Sequence, residues 1–208
     1  AYYSVAVATR QHLHRRVADL LIEHRAQNDK AICLEIAWHH LRGNDAARAG
    51  PFALEGAEAM LAVGAPQGAQ EVLERILAQN HQSVDLNRVR LLLAKAFVDQ
   101  SKGGAAVPII YQLSQEQNLD LRERAEVAMV RAVAEFQLNA ESGDCYSAAA
   151  TAALDATKKT KDPTLIAKAL FECARAGTEE GRSDLLHAAE AGIDELADTT
   201  DTVLPIAA

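Results

Sequence analysis

Apolar residues recur three and four positions apart along most of the chain, and nowhere do they alternate strictly over a strand length. This pattern predicts helices and no sheet. Start and stop signals divide the chain into about ten of them. The first covers about 9–25, with Leu13, Val17, Leu20, Leu21 and His24 along one face. Asn28-Asp29 breaks it and caps a second at 30–42, and Gly43-Asn44-Asp45 opens a third at 46–63, where Pro51 predicts a kink. Gly64-Ala65-Pro66 leads to a fourth at 67–79, and the polar stretch from Asn80 to Ser83 precedes a fifth at 84–101. Lys102-Gly103-Gly104 turns the chain into a sixth at 105–117, with Pro108 expected in its first turn. Asn118-Leu119-Asp120 starts a seventh at 121–139, and Ser142-Gly143-Asp144 an eighth at 145–159. Asp162-Pro163 is the clearest boundary, an N-cap acid before a first-turn proline, and opens a ninth helix reaching Glu180. Gly181 and Ser183 then separate a tenth, 184–197.

Short loops between helices of similar length predict antiparallel hairpins. The odd-numbered helices begin near 9, 46, 84, 121 and 163, a spacing of 37 to 42 residues. A two-helix unit recurring at that interval is the mark of an α-solenoid. The expected fold is therefore all-α, a right-handed α-solenoid of about five antiparallel helical hairpins. It forms a single domain over 1–198, followed by a tail, 199–208, that leads to an absent segment.

Composition narrows the function classes. The 208 residues carry a formal charge of -8, which disfavours direct nucleic-acid binding or an anionic membrane surface, since both need a basic face. Hydrophobic residues make up 49% but aromatics only 4%, so alanine and leucine must carry the core. Three widely spaced cysteines form no disulfide framework and point to a reducing, cytoplasmic setting. No run approaches the roughly 20 apolar residues of a membrane span. The opening Ala1-Tyr2-Tyr3-Ser4 has neither a basic leader nor an apolar core, which reads as a piece of a longer protein.

Two stretches resemble known families. Gly56-Ala57 and Met60 with Ala69, Leu73 and Ile76, then Leu93-Ala94 and Phe97 with Ala106, Ile110 and Leu113, are similar to the tetratricopeptide pattern of alternating small and large residues. Ala69 and Ala106 lie 37 residues apart, against about 34 in that repeat. The early tryptophan of the family is Arg90 in one unit and Ala53 in the other, and the closing proline is missing. Secondly, His12–Leu20, Glu35-Ile36-Ala37-Trp38-His39-His40, Gly43-Asn44-Asp45 and Arg48-Ala49-Gly50-Pro51-Phe52 resemble a particular junction. It is the segment following the ATPase module in signal-transduction ATPases with numerous domains, among them LuxR-type transcription regulators and ATPase-linked adenylate cyclases. The resemblance covers residues 9–80 and implies a sensor or scaffold arm, not the ATPase itself.

Catalytic signals are few. There is no phosphate-cradling GxxxxGK[ST] motif, and Gly103-Gly104 has neither a following lysine nor a preceding strand. His12 and His14 point about 200° apart on a helix, and His39 and His40 about 100°, so neither pair shares a metal. Glu35 and His39 lie one turn apart, as metal ligands would, but no third ligand has recognisable spacing. These histidines are expected to cap, pack or solvate the first hairpin, with Trp38 filling its core. Cys33, Cys145 and Cys173 read as small buried hydrophobes, Cys145 alone having a partly helix-N-terminal setting. No catalytic, cofactor or metal residues are assigned.

Charge and repeat geometry leave two surfaces. The basic first helix (Arg10, Arg15, Arg16, Arg25) and the acidic last hairpin (Glu179, Glu180, Asp184, Glu190, Asp194, Glu195, Asp198) favour head-to-tail self-association or a basic partner domain. In helical-repeat arrays the first helix of each unit lines the concave side, which puts Arg88, Lys95 and Asp99 on a partner-binding face. Charge reversal at Lys95 is expected to alter binding and leave melting nearly unchanged. The expected function is non-catalytic recognition of a protein, peptide or small effector in a cytoplasmic ATPase-linked signalling or transcription regulator. A self-assembly module and an α-helical enzyme with a site between helices are the alternatives.

Overall fold

Ten helices make up most of the described residues of the computed structural model, and no strand occurs among them. Those residues are 6–26, 29, 30, 32–79, 81–138 and 144–201, with the side chains of 144, 145 and 198–201 left aside. The expected break at Asn28, the stretch opening at Asn80, the Ser142-Gly143 turn, the first four residues and the tail beyond 201 lie outside them, as does the Cys145 side chain. The helices are α1 (Val7–His24), α2 (Cys33–Arg42), α3 (Ala46–Ala62), α4 (Pro66–Gln79), α5 (Leu86–Asp99), α6 (Gly103–Ser114), α7 (Leu121–Leu138), α8 (Asp144–Thr160), α9 (Pro163–Glu179) and α10 (Ser183–Asp201).

Local chemistry explains most of these limits. Asp45, Asp85 and Asp162 each accept a hydrogen bond from a first-turn amide, at 3.2 Å from Arg48, 3.0 Å from Arg88 and 2.9 Å from Thr164. Such caps satisfy helix amides that have no internal partner, each contributing about 1 kcal/mol. Asp120 and Glu123 form a reciprocal capping box, each carboxylate taking the other's amide, at 2.8 and 3.0 Å. Asn44, Gly64, Ser101, Lys161 and Gly181 take left-handed φ values of 56° to 71°, each one or two residues before the next helix. The left-handed residue reverses the chain within three positions.

Several boundaries differ from expectation: α2 starts at Cys33 and not at 30, α5 is shorter by two residues at each end, and α6 stops at Ser114 and not at 117. Helix α6 begins at Gly103, so Pro108 sits inside the helix and not in its first turn. Gly103 must stay bare there, since a Cβ on it would lie 2.8 Å from the Ala134 carbonyl of α7, whereas one on Gly104 would make an ordinary 3.6 Å contact with Leu138. Helix α10 runs on to Asp201, past the expected end at 197.

The helices fall into two compact units, α1–α5 and α6–α10, divided in sequence between Ser101 and Lys102. In the first, each helix packs on its neighbours in the chain, with further contact of α2 to α4 and α3 to α5. Its core is alanine-lined: Ala37, Ala49, Ala53, Ala57 and Ala69 are wholly buried beside Ile36, Val72, Leu73 and Ile76. Each buried leucine or isoleucine contributes about 1.5–3 kcal/mol, and the alanines let the helix axes approach. In the second unit α6 to α10 again pack in chain order, with α7 also touching α9. Tyr146, Ala150, Ala153, Ala169, Leu170 and Cys173 form the centre of its core.

The apolar stripe of α1 does not pack inward. Leu13, Val17 and Leu20 are 54%, 37% and 40% exposed, and Ala18 is the buried position. Arg15 instead faces the unit, donating to the Gly43 carbonyl at 2.9 Å.

Candidate functional site

Arg88, Lys95 and Asp99 occupy one side of α5, spaced seven and four residues apart. Asp99 is exposed and the other two half-buried. Arg88 is engaged within the unit: its Nε and Nη2 donate to Glu58 Oε1 of α3 at 3.1 and 2.6 Å. Similar pairs join α1 to α3, with Arg25 on Glu55 at 2.7 Å and Arg48 on Asp19. Half-exposed bridges of this kind are screened by solvent and add little to stability. They act mainly as registers between odd-numbered helices.

A more distinctive feature lies on α2 and α4. Leu34, Glu35, Trp38, His39 and Arg42 share one face of α2 and, with Met60 of α3 and Gly68 of α4, line an open groove of about 490 Å³. Gly56 sets how closely α2 seats: a Cβ there would fall 2.7 Å from the Leu34 amide nitrogen. Gly68 leaves its wall low beside Leu34, where an added Cβ would make an ordinary 3.6 Å contact. Trp38 does not fill a core. It is half-buried in the groove, and two guanidinium groups lie against its ring, Arg75 of α4 at 4.1 Å and Arg42 at 5.1 Å from the centroid. An indole attracts cations through its negative face, at about 0.5–2 kcal/mol each. No carboxylate pairs with Arg42 or Arg75 among the described residues, in contrast to Arg25, Arg48 and Arg88.

Beside the groove, His14 Nδ1 and His39 Nδ1 meet at 3.0 Å, so one ring donates to the other. The sequence pairs considered (His12 with His14, His39 with His40) are not the pair that forms, because the contact joins α1 to α2 across 25 residues. Burial holds both rings below the usual histidine range, helped at His14 by the charges of His39, Arg42 and Arg10, and opposed at His39 by Glu35. His40 points the other way, wholly buried and stacked on Phe52 at 6.1 Å, with neither ring nitrogen hydrogen-bonded. Burial lowers its pKa too. Among the described residues no group of three or more His, Cys, Asp or Glu side chains is placed to hold a metal ion.

The second unit contains a buried polar cluster. Tyr146 donates to Glu172 Oε2 at 2.8 Å and accepts from Arg175 Nε at 2.7 Å, while Arg175 also pairs with Glu172. The guanidinium lies 3.8 Å from the Phe136 ring centroid. Every partner is satisfied internally, as in a structural network that joins α7, α8 and α9. Cys33 and Cys173 are buried, and desolvation pushes both thiols up to about 11, leaving them protonated and unreactive at neutral pH.

Several charges of the two ends are engaged locally. Glu180 caps α8 by accepting from the Ser147 amide at 3.0 Å, and Asp184 pairs with Arg182 at 2.6 Å. No described helix is long and apolar enough to cross a membrane. Comparison with known proteins brings no matching family model, no matching curated protein and no matching solved structure.

Proposed function

We propose that this chain is a non-catalytic recognition module, a tetratricopeptide-like right-handed α-solenoid of about five hairpins. It would serve as the sensor or scaffold arm of a cytoplasmic ATPase-linked signalling or transcription regulator. The carrying observation is the open groove of α2, α3 and α4, which offers an aromatic ring beside two arginines that pair with no described carboxylate. Helix order supports the repeat reading. Leu34 meets Gly68 and, further along both helices, Trp38 meets Arg75, so α2 and α4 run in the same direction with α3 returning between them. Contacts within each unit join helices one or two apart in the chain, as in stacked hairpins. A bound partner would then bias the array between conformations through its differential affinity for them.

Display selection of random peptides on the immobilised chain tests this, followed by calorimetry of enriched sequences against the wild type and Lys95→Glu. Saturable binding of peptides that emerge chemically unchanged supports the proposal. Failure to enrich any sequence over a non-repeat helical protein, or turnover of a bound peptide, overturns it. Self-association is a second reading, favoured by the exposed Leu13, Val17 and Leu20 stripe beside Arg10 and Arg16. Light scattering across a salt series separates it from a monomer.

A further inference from the structure

Most arginines of the first unit have an oxygen partner. Arg15 meets a carbonyl, Arg25, Arg48 and Arg88 meet carboxylates, and Arg90 meets the Asn87 amide oxygen at 3.0 Å. Arg42 and Arg75 depart from this pattern: both are exposed and lie against the Trp38 indole, with no anion beside them among the described residues. A guanidinium forms its strongest contacts with a carboxylate, through paired N–H donors that the flat face of an indole cannot accept. Both guanidiniums thus lie within 5.1 Å of one ring centroid, and no described carboxylate pairs with either.

The groove they flank is graded. Leu34, Met60 and Gly68 make one end apolar, and Trp38 and Arg42 line the other, where Arg75 lies against the Trp38 ring and adds a second cation. Along α2 the span from Leu34 to Arg42 is eight residues, roughly 12 Å at the helical rise. That length suits a few residues of extended chain. The groove is open along its side, so it cannot enclose most of a small ligand's surface as a small-molecule pocket does. Glu35, the lone carboxylate of the lining, sits on the same face one turn before His39 and repels acidic groups from the apolar end, which fixes the direction of an acidic ligand.

We propose that this groove binds an acidic peptide segment, with an apolar side chain seated on Leu34 and Met60 and a carboxylate bridging Arg42 and Arg75. This rests on the recognition reading above and names its partner's chemistry. Trp38 is the chain's single tryptophan, so its emission reports directly on occupancy.

The experiment titrates the wild-type chain with a short synthetic peptide alternating leucine and glutamate, one alternating leucine and lysine, and octanoate, at low and high salt. The expected result is a saturable change in Trp38 emission with the leucine–glutamate peptide alone, weakening as salt rises. Arg75→Glu should lower that affinity about tenfold or more, the loss of one charge-assisted contact, with an unchanged far-ultraviolet dichroism spectrum. Arg42→Gln, at the exposed end of α2, gives a second reading should Arg75→Glu fail to fold. A silent wild type, an unaffected variant, or octanoate binding as tightly as the peptide overturns the proposal. Display-selected peptides that bind while Trp38 stays silent would refute the groove and spare the recognition reading.

Discussion

Replacing Gly56 by alanine places a methyl group where α3 meets the backbone of α2. The new Cβ would lie 2.7 Å from the Leu34 nitrogen and 2.9 Å from its Cγ and Cδ2. A side-chain terminus can swing aside, but a helix amide cannot, so the α2–α3 spacing must open. Overpacking of this kind costs about 1–3 kcal/mol, against a helix-propensity gain of about 1 kcal/mol for glycine to alanine. The net expectation is a loss of up to about 2 kcal/mol. Gly68→Ala is the matched control, exposed and helical, its Cβ meeting only Leu34 Cδ1 at 3.6 Å. It should be stabilising by roughly 0.5–1 kcal/mol, since only the propensity gain applies. Urea unfolding followed by Trp38 fluorescence reads the first unit. With a slope of about 2 kcal/mol per molar, Gly56→Ala should lower the midpoint by up to about 1 M and Gly68→Ala should raise it. Equal shifts of the same sign, or a Gly56→Ala midpoint at or above wild type, would show that α2 does not seat on α3 through this contact.

Acidification should weaken the first unit before any carboxylate titrates. His14, His39 and His40 have folded pKa values below the unfolded 6.5, so their contribution is complete above that pH. It is lost as pH falls from 6.5 through the lowered folded values. Asp19, Asp45, Arg48 and His39 face His40 electrostatically, and the two aspartates oppose its shift. Thermal melts from about pH 7.5 to about pH 5 should therefore show a falling Trp38-monitored midpoint, and His40→Phe should flatten the slope. An unchanged slope in that variant would assign the effect elsewhere. In the second unit, Tyr146→Phe removes the hydroxyl shared by Glu172 and Arg175 and leaves a buried carboxylate short of one donor. A loss of about 1–3 kcal/mol is expected in dichroism-monitored unfolding, and wild-type stability in the variant would mean that water replaces the phenol without cost.

What the amino-acid sequence decided alone was the list of helices. Apolar periodicity and the start signals at Asp45, Asp120 and Asp162 act within one or two turns of their own backbone, so ten elements were legible without tertiary knowledge, whereas the Asp85 cap, which moves the start of α5 to Leu86, was not read. Where neighbours intervene, that reading failed. Gly103-Gly104 reads as a turn but is helical, and at Gly103 the missing side chain lets α6 approach the Ala134 carbonyl of α7. Only the tertiary structure decided how each helix is rotated about its axis. That rotation left Leu13, Val17 and Leu20 of α1 facing outward, moved Trp38 from a core position to a groove, and tied Arg88 to Glu58. The His14–His39 contact and the placing of Arg75 on Trp38 depend on it too. The reason is range: capping and periodicity act over a few ångströms along one helix, whereas rotation is set by how two or three neighbouring surfaces fit together at once.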